Sequence, residues 1–251
     1  MQHRHYRAVL FDFFGTLTQA VQRGRAHTKI ARSLGCDPAA FIDVLDRTFY
    51  LRAQGRLGTA EATLRWVCAQ LDVHPSDEQL RRACAARVDA VRTDTRLRPD
   101  AVNALWALHR RGVSTAVVSD CGHELPAFLP ELPVYPLLDR TVFSVHVGEC
   151  KPHPAMYLTA CAELDVPPAQ CLYVGDGGSG ELSGAAEAGM TVLRMDPPDL
   201  AHHLVFQTDL RWHGPAVRSL LQVVTYLDQL ESSVAALVPR PHGSHRQPIL
   251  V

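Results

Sequence analysis

The sequence predicts an α/β protein whose parallel sheet carries helices on both faces and is interrupted once by an all-helical insertion. Three observations carry that prediction. An apolar run rich in β-formers lies near the start, over residues 7–14. From residue 99 to about residue 230, strand-like and helix-like patterns alternate, the rhythm of a parallel sheet with helical crossovers. Residues 18–98 read as helical throughout, with no convincing strand. The first strand then joins the same sheet as the later ones. The expected division is a core of residues 1–17 and 99–238, a helical insertion of residues 18–98, and a mobile tail of residues 239–251 mixing Pro, Gly, His and Ser.

Each element has its own signal. Asp37-Pro38 places a capping carboxylate ahead of a proline at the first helical position. Thr59 is placed to cap a second helix, and Ser76 with Gln79 forms a capping box for a third. After Pro99, residues 100–111 read as a helix stopped by Gly112, and residues 113–119 as a strand. A strand at 141–145, a helix at 154–164 and a strand at 171–175 follow. Residues 181–188 form a helix ended by Gly189, 191–195 a strand, and 215–230 a final amphipathic helix. Trp66 and Trp106 are expected in cores.

The chain has 251 residues, enough for one large domain or for a core with an inserted module. With 20% charged residues and a net charge of -1, it has no overall pull toward nucleic acid or acidic membranes. Seven cysteines without a C-x-x-C pair read as reduced thiols of a cytoplasmic protein. No apolar run approaches a membrane span, and no secretory pattern follows the basic start. His3 and His5 precede the first strand and His202-His203 lie in a loop, so no structural zinc site is expected.

Four segments carry chemistry, each at or just past a predicted strand end: Asp12 with Gly15-Thr16, Ser119-Asp120, Lys151 within Lys151-Pro152-His153-Pro154, and Asp176 through Glu181 in a Gly-rich turn. Open α/β sheets place their ligands at such strand ends. A carboxylate attacking phosphorus meets like charge, and a divalent cation offsets the repulsion. Hard oxygen ligands of the kind Asp12, Asp176 and Glu181 supply suit Mg²⁺. Ser119 and Lys151 are suited to holding the remaining phosphoryl oxygens.

In this order, over residues 7–195, the segments resemble the haloacid dehalogenase-like (HAD) hydrolase superfamily. The resemblance implies a Rossmann-like core and makes residues 18–98 the family's cap, which closes over the site and selects the substrate. It implies that Asp12 is the nucleophile and a metal ligand, and that the Phe14 backbone carbonyl and Asp176 are further ligands. Ser119 becomes the phosphate-binding hydroxyl, Lys151 the neutralising ammonium, and Asp120 with Gly15-Thr16 part of the phosphate site. Glu181 stands where a second Asp is usual. The implied partner is a small phosphorylated substrate with Mg²⁺, not nucleic acid or a membrane; oligomeric state is not legible.

One residue departs from the pattern. Family phosphatases carry a second carboxylate at the position of Phe14, which protonates the leaving group and activates water, a contribution worth roughly 10²–10⁴-fold. Asp120 and His123 are placed to stand in for it. Arg23, Arg25 and His27 follow the first motif closely enough to reach a substrate anion. Three functions stay open: a Mg²⁺-dependent phosphatase, a metal-free dehalogenase that also lacks that carboxylate, and a binding domain that has lost activity.

Overall fold

In the computed structural model, residues 6–204, 209 and 212–237 are described, so the expectations for the tail and for His3 and His5 fall outside them. Six strands form one parallel sheet: β1 (Ala8–Phe11), β2 (Ser114–Ser119), β3 (Arg140–Phe143), β4 (Cys171–Gly175), β5 (Thr191–Met195) and β6 (Ala216–Val217). Their order is β3-β2-β1-β4-β5-β6, the doubly wound arrangement of a Rossmann-like fold. β1 is central, with Ala8 opposite both Ser114 and Cys171. Its pleat sends Val9 and Phe11 to one helical layer and Ala8 and Leu10 to the other.

Between β1 and β2 the chain forms α1 (Ala26–Ser33), α2 (Pro38–Arg47), α3 (Phe49–Ala53), α4 (Ala60–Ala69) and α5 (Asp77–Asp94). These pack around a separate apolar cluster that includes Leu34, Phe41, Val67 and Leu80. The predicted caps form. Asp37 accepts from Ala40 N–H at 2.9 Å, Thr59 from Ala62 N–H at 3.2 Å, and Ser76 and Gln79 cap each other reciprocally. The two connectors of the insertion run side by side, joined by an antiparallel bridge between Thr18 and Leu97.

The rest of the chain supplies α6 (Ala101–Arg110), α7 (Glu124–Phe128), α8 (Ser144–Val147), α9 (Pro154–Leu164), α10 (Glu181–Glu187) and α11 (Leu220–Leu237). The layer with α6 and α11 covers one face of the sheet, and that with α9 and α10 the other. Three expectations are corrected. The strand expected at 141–145 ends at Phe143, where Ser144 turns into α8 and its hydroxyl accepts from Cys121 N–H at 2.9 Å. The last expected helix is preceded by β6, two residues long and too short for a period-two signal, and starts only at Leu220. Trp106 is 50% exposed on the outer face of α6, where its ring meets His109 rather than a core. Among the described residues no helix is long and apolar enough to cross a membrane, and all seven cysteines are free.

Candidate active site

The site sits where the order of the sheet reverses, at the carboxyl ends of β1, β2 and β4. Asp12 follows the fully buried β1, and its N–H donates to the Val174 carbonyl at 2.8 Å, which fixes it level with the end of β4. The next residues turn sharply, with Gly15 at φ +81°, a conformation that favours glycine. A side chain at Gly15 would begin 2.8 Å from both Asp176 Oδ2 and His203 Nε2, so only glycine lets those two groups approach the turn. Arg98 holds the turn from below. Its guanidinium donates to the Gly15 carbonyl at 2.7 Å and the Thr16 carbonyl at 2.9 Å, and it pairs with Asp199 at 3.0 Å.

Lys151 is the hub. Its Nζ lies 2.6 Å from Asp12 Oδ1 and 2.6 Å from Glu181 Oε2, with all three side chains buried. Its backbone N–H donates to Asp120 Oδ1 at 2.9 Å. The segment can lie there because Pro152 packs on Gly184, where any Cβ would come within 2.6 Å of the proline ring and 2.8 Å of the Tyr157 hydroxyl. Glu181 is fully engaged: it accepts from Tyr173 OH at 2.7 Å and from Gly177 N–H at 2.9 Å as well as from Lys151. Asp176 accepts from Gly178 N–H at 2.9 Å.

Three carboxylates, Asp12, Asp176 and Glu181, bring ligand atoms within 4.8 Å of one another against one ammonium. Burial pushes the Asp12 carboxyl up to about 7, against the pull of Lys151. Burial, then the charges of Glu181 and Asp12, push Asp176 well above the usual carboxylate range. Burial opposes the charge on Lys151, but Asp12 and Glu181 more than offset it and hold the ammonium charged. The surplus of negative charge fits a divalent cation, and Asp12 offers it a buried Oδ2 without a hydrogen-bond partner. Asp12 and Asp176 are the carboxylates placed to hold it, since Glu181 is already clamped onto Lys151.

Asp12, Phe14, Asp120, Lys151, Asp176 and Glu181 line one cavity of about 180 Å³. Ser119 and Thr16 are fully buried beneath it, each with a hydroxyl that has no hydrogen-bond partner, and Gly15 contributes backbone shape only. His123 is not in this cavity; its Nε2 meets the Gly58 carbonyl at 2.8 Å, holding the insertion to the core. Asp120, unlike His123, lines the cavity, and burial, against the charge of Lys151, raises its carboxyl to about 6. Arg23 and His27 line the cavity, whereas Arg25 is exposed and does not.

His203 is the residue the sequence hid. Its Nδ1 accepts from Val21 N–H at 2.8 Å, so the neutral ring must carry its proton on Nε2, which faces Asp176 Oδ2 at 3.5 Å. Burial, then the charge of Arg98, lowers its pKa and keeps it neutral. It is thus a fixed N–H donor and not a nitrogen ligand. The loop that carries it also binds the insertion's first connector, through Ala20 N–H to Asp199 at 2.8 Å and Leu204 N–H to the Val21 carbonyl at 3.2 Å.

Comparison with known proteins bears on the family and the fold. A family model described as haloacid dehalogenase-like hydrolase matches residues 6–189. A glyceraldehyde 3-phosphate phosphatase from Methanopyrus kandleri is 31% identical over 98 residues, 39% of this chain and 42% of that protein. The (S)-2-haloacid dehalogenase 1 of a Pseudomonas species is 31% identical over 99 residues, 39% of this chain and 43% of that protein. The chain therefore spans under half the length of these curated relatives. The L-2-haloacid dehalogenase structure from Xanthobacter autotrophicus shares the fold at a TM-score of 0.62 and 20% identity, over 89% of this chain and 99% of that one.

Proposed function

The chain belongs to the haloacid dehalogenase-like hydrolases, and from that premise we propose that it hydrolyses small phosphorylated molecules through an aspartyl-phosphate on Asp12. One observation carries the reading: Asp176 shares the cavity with the Asp12–Lys151–Glu181 cluster and leaves it with more carboxyl groups than Lys151 can neutralise. A carbon-attacking enzyme has no need of that surplus, whereas a phosphate-binding cation does.

In this reading Lys151 aligns Asp12 and favours its ionised form against burial, and its charge draws in a phosphoryl oxygen. Asp12 attacks phosphorus, the phosphorus–oxygen ester bond breaks, and its electron pair leaves on the substrate oxygen. Water then attacks the phosphorus of the acyl phosphate and returns Asp12 as carboxylate with inorganic phosphate. Bound Mg²⁺, held by Asp12 and Asp176, would supply charge neutralisation at the phosphoryl oxygens. Proton transfer falls to Asp120, the cavity-floor carboxyl outside the Asp12–Asp176–Glu181 cluster, which burial raises to about 6. Phe14, packed edge-on to Phe13 at 5.0 Å, contributes shape and no proton.

A panel of phosphorylated metabolites assayed with Mg²⁺ tests this. Asp12→Asn is expected to abolish release of phosphate, and Phe14→Asp to speed turnover of esters with poor leaving groups. No hydrolysis by either the wild type or Phe14→Asp would remove the phosphatase reading. The second reading, carbon–halogen hydrolysis, draws on the apolar Phe14 and on the dehalogenase relative. Chloride release from 2-chloropropionate without added metal would favour it.

A further inference from the structure

The wall of the cavity facing away from the sheet is built by the helical insertion and carries three arginines, Arg23, Arg52 and Arg87. Two are matched with carboxylates. Arg23 pairs with Asp46 through both terminal nitrogens, at 3.0 and 2.5 Å, and Arg87 pairs with Glu124 at 2.6 Å. A third acid, Asp94, is taken by the Gly24 N–H and by His27, each at 2.9 Å. Arg52, on α3, is 8% exposed and, among the described residues, pairs with no carboxylate. One terminal nitrogen donates to the Leu45 carbonyl at 2.7 Å, and Nε has no partner.

A buried guanidinium without an anion is costly, because the charge has left water and its donors are unmet. The cost is compounded here: burial, then the like charge of Arg87, pulls the Arg52 guanidinium down to about 10, with Glu124 only partly countering. Leu45, Phe49 and Leu125 line the same space and leave little solvent to screen it. The arrangement has a purpose if the missing anion arrives with the substrate.

We propose that Arg52 is a second anion subsite and that the substrate carries a carboxylate at the end remote from its phosphoryl group. This rests on the phosphatase reading of the Asp12 site. A carboxylate matches the flat donor fork of one guanidinium and brings one negative charge. A second phosphoryl group would bring nearly two, facing Glu124 and Asp94 in the same cavity.

The test uses non-hydrolysable phosphonates bearing a terminal carboxylate, in a series of two to five carbons, each beside its uncharged carboxamide counterpart. Binding is measured by calorimetry on the full chain with Mg²⁺ for wild type, Arg52→Gln and Arg52→Lys. At one chain length the wild type is expected to bind the carboxylate about 10- to 100-fold more tightly than the amide, the range for a charge-assisted hydrogen bond. Arg52→Gln is expected to lose that preference, and Arg52→Lys, which keeps the charge but not the fork, to fall between. The carboxylate-to-amide ratio is internal to each protein, so a general loss of folding does not imitate the result. Equal binding of the pair by wild type at every length, no binding at any length, or an undiminished preference in Arg52→Gln overturns the proposal. Hydrolysis of the matching phosphate esters separates the two ideas. Arg52-dependent binding without hydrolysis leaves the subsite standing and removes the phosphatase reading; hydrolysis without carboxylate preference does the reverse.

Discussion

The floor and the roof of the cavity solve opposite electrostatic problems. On the floor, at the strand ends, Lys151 is shared at 2.6 Å by two carboxylates and negative charge remains in surplus. In the roof, Arg23 and Arg87 each own a carboxylate and Arg52 does not. The floor is therefore short of a cation, and in the roof Arg52 is short of a paired anion. A cation-bound phosphoryl group below and a carboxylate above would satisfy both, so binding a doubly anionic substrate relieves two buried imbalances at once. In the proposed function the floor performs chemistry on backbone fixed by β1, β2 and β4, and the roof selects what reaches it.

The largest effect that would break this division is at the hub. Lys151→Met leaves Asp12 and Glu181 buried without their cation, and is expected to cost about 3–5 kcal/mol of stability in denaturant melts. Turnover should fall by about 10²- to 10³-fold, against the 10- to 100-fold selectivity change expected at Arg52. If steady-state kinetics show Lys151→Met no more harmful than Arg52→Gln, the two halves do not divide the labour as described.

His203 ties the halves together, reaching from the connector of the insertion to Asp176. Groups that orient a metal ligand are worth about 10- to 100-fold in metal affinity. His203→Ala is expected to weaken Mn²⁺ binding, measured by calorimetry, within that range, while His203→Gln, which keeps a donor, recovers most of it. Wild-type affinity in His203→Ala would show that the loop contact is structural only.

A smaller effect with a definite sign comes from Asp120. Its carboxyl is raised from 3.8 to about 6 in the folded protein, so folding favours its protonated form. That contribution is fully present below the unfolded value and is lost as pH rises through about 6. Asp120→Asn imitates the protonated form. It should melt like the wild type near pH 4. At pH 8 it should be more stable by roughly 2–3 kcal/mol, the free energy the wild type gives up by ionising a carboxyl that burial has made a weaker acid. Turnover should nonetheless fall, since the proton donor is gone. A variant destabilised equally at both pH values would place Asp120 outside this balance.

What the sequence disclosed follows the same division. Asp12, Asp120, Lys151, Asp176 and Glu181 each follow or adjoin an apolar strand pattern, and parallel strands bring their carboxyl ends together whatever the loops do. The roof has no such rule. Arg23 was legible from its place close behind the first motif, but Arg52 on α3 and Arg87 on α5 lie at spacings that only the packing of helices around Leu34, Phe41 and Leu80 brings to one wall. Arg98 and His203 were hidden for a related reason. Arg98 sits at the seam between insertion and core, and His203 reaches the site through a long loop after β5, where its neighbour Val21 is 182 positions away. Their signals, one arginine before Pro99 and one histidine of a pair, look like any others until the turn of Gly15 is built.

The smallest change tests whether floor and roof unfold as one body. Ser76→Ala removes the hydroxyl that accepts from Gln79 N–H at 3.2 Å and leaves the first turn of α5 half-capped. The loss is about 1 kcal/mol, a shift of about 2–4 °C in the midpoint for a chain of this size. Ser76 is remote from the cavity, so the carboxylate preference should not move. The informative quantity is which transition moves. The roof has its own apolar cluster, but it is joined to the core by Arg87 with Glu124, Tyr50 with Ser179 at 3.2 Å and His123 with the Gly58 carbonyl. If those contacts make the protein cooperative, near- and far-ultraviolet signals shift together. If an early helical transition shifts alone, the roof opens with its own free energy, and Arg52 is delivered to the substrate by closure instead of waiting for it.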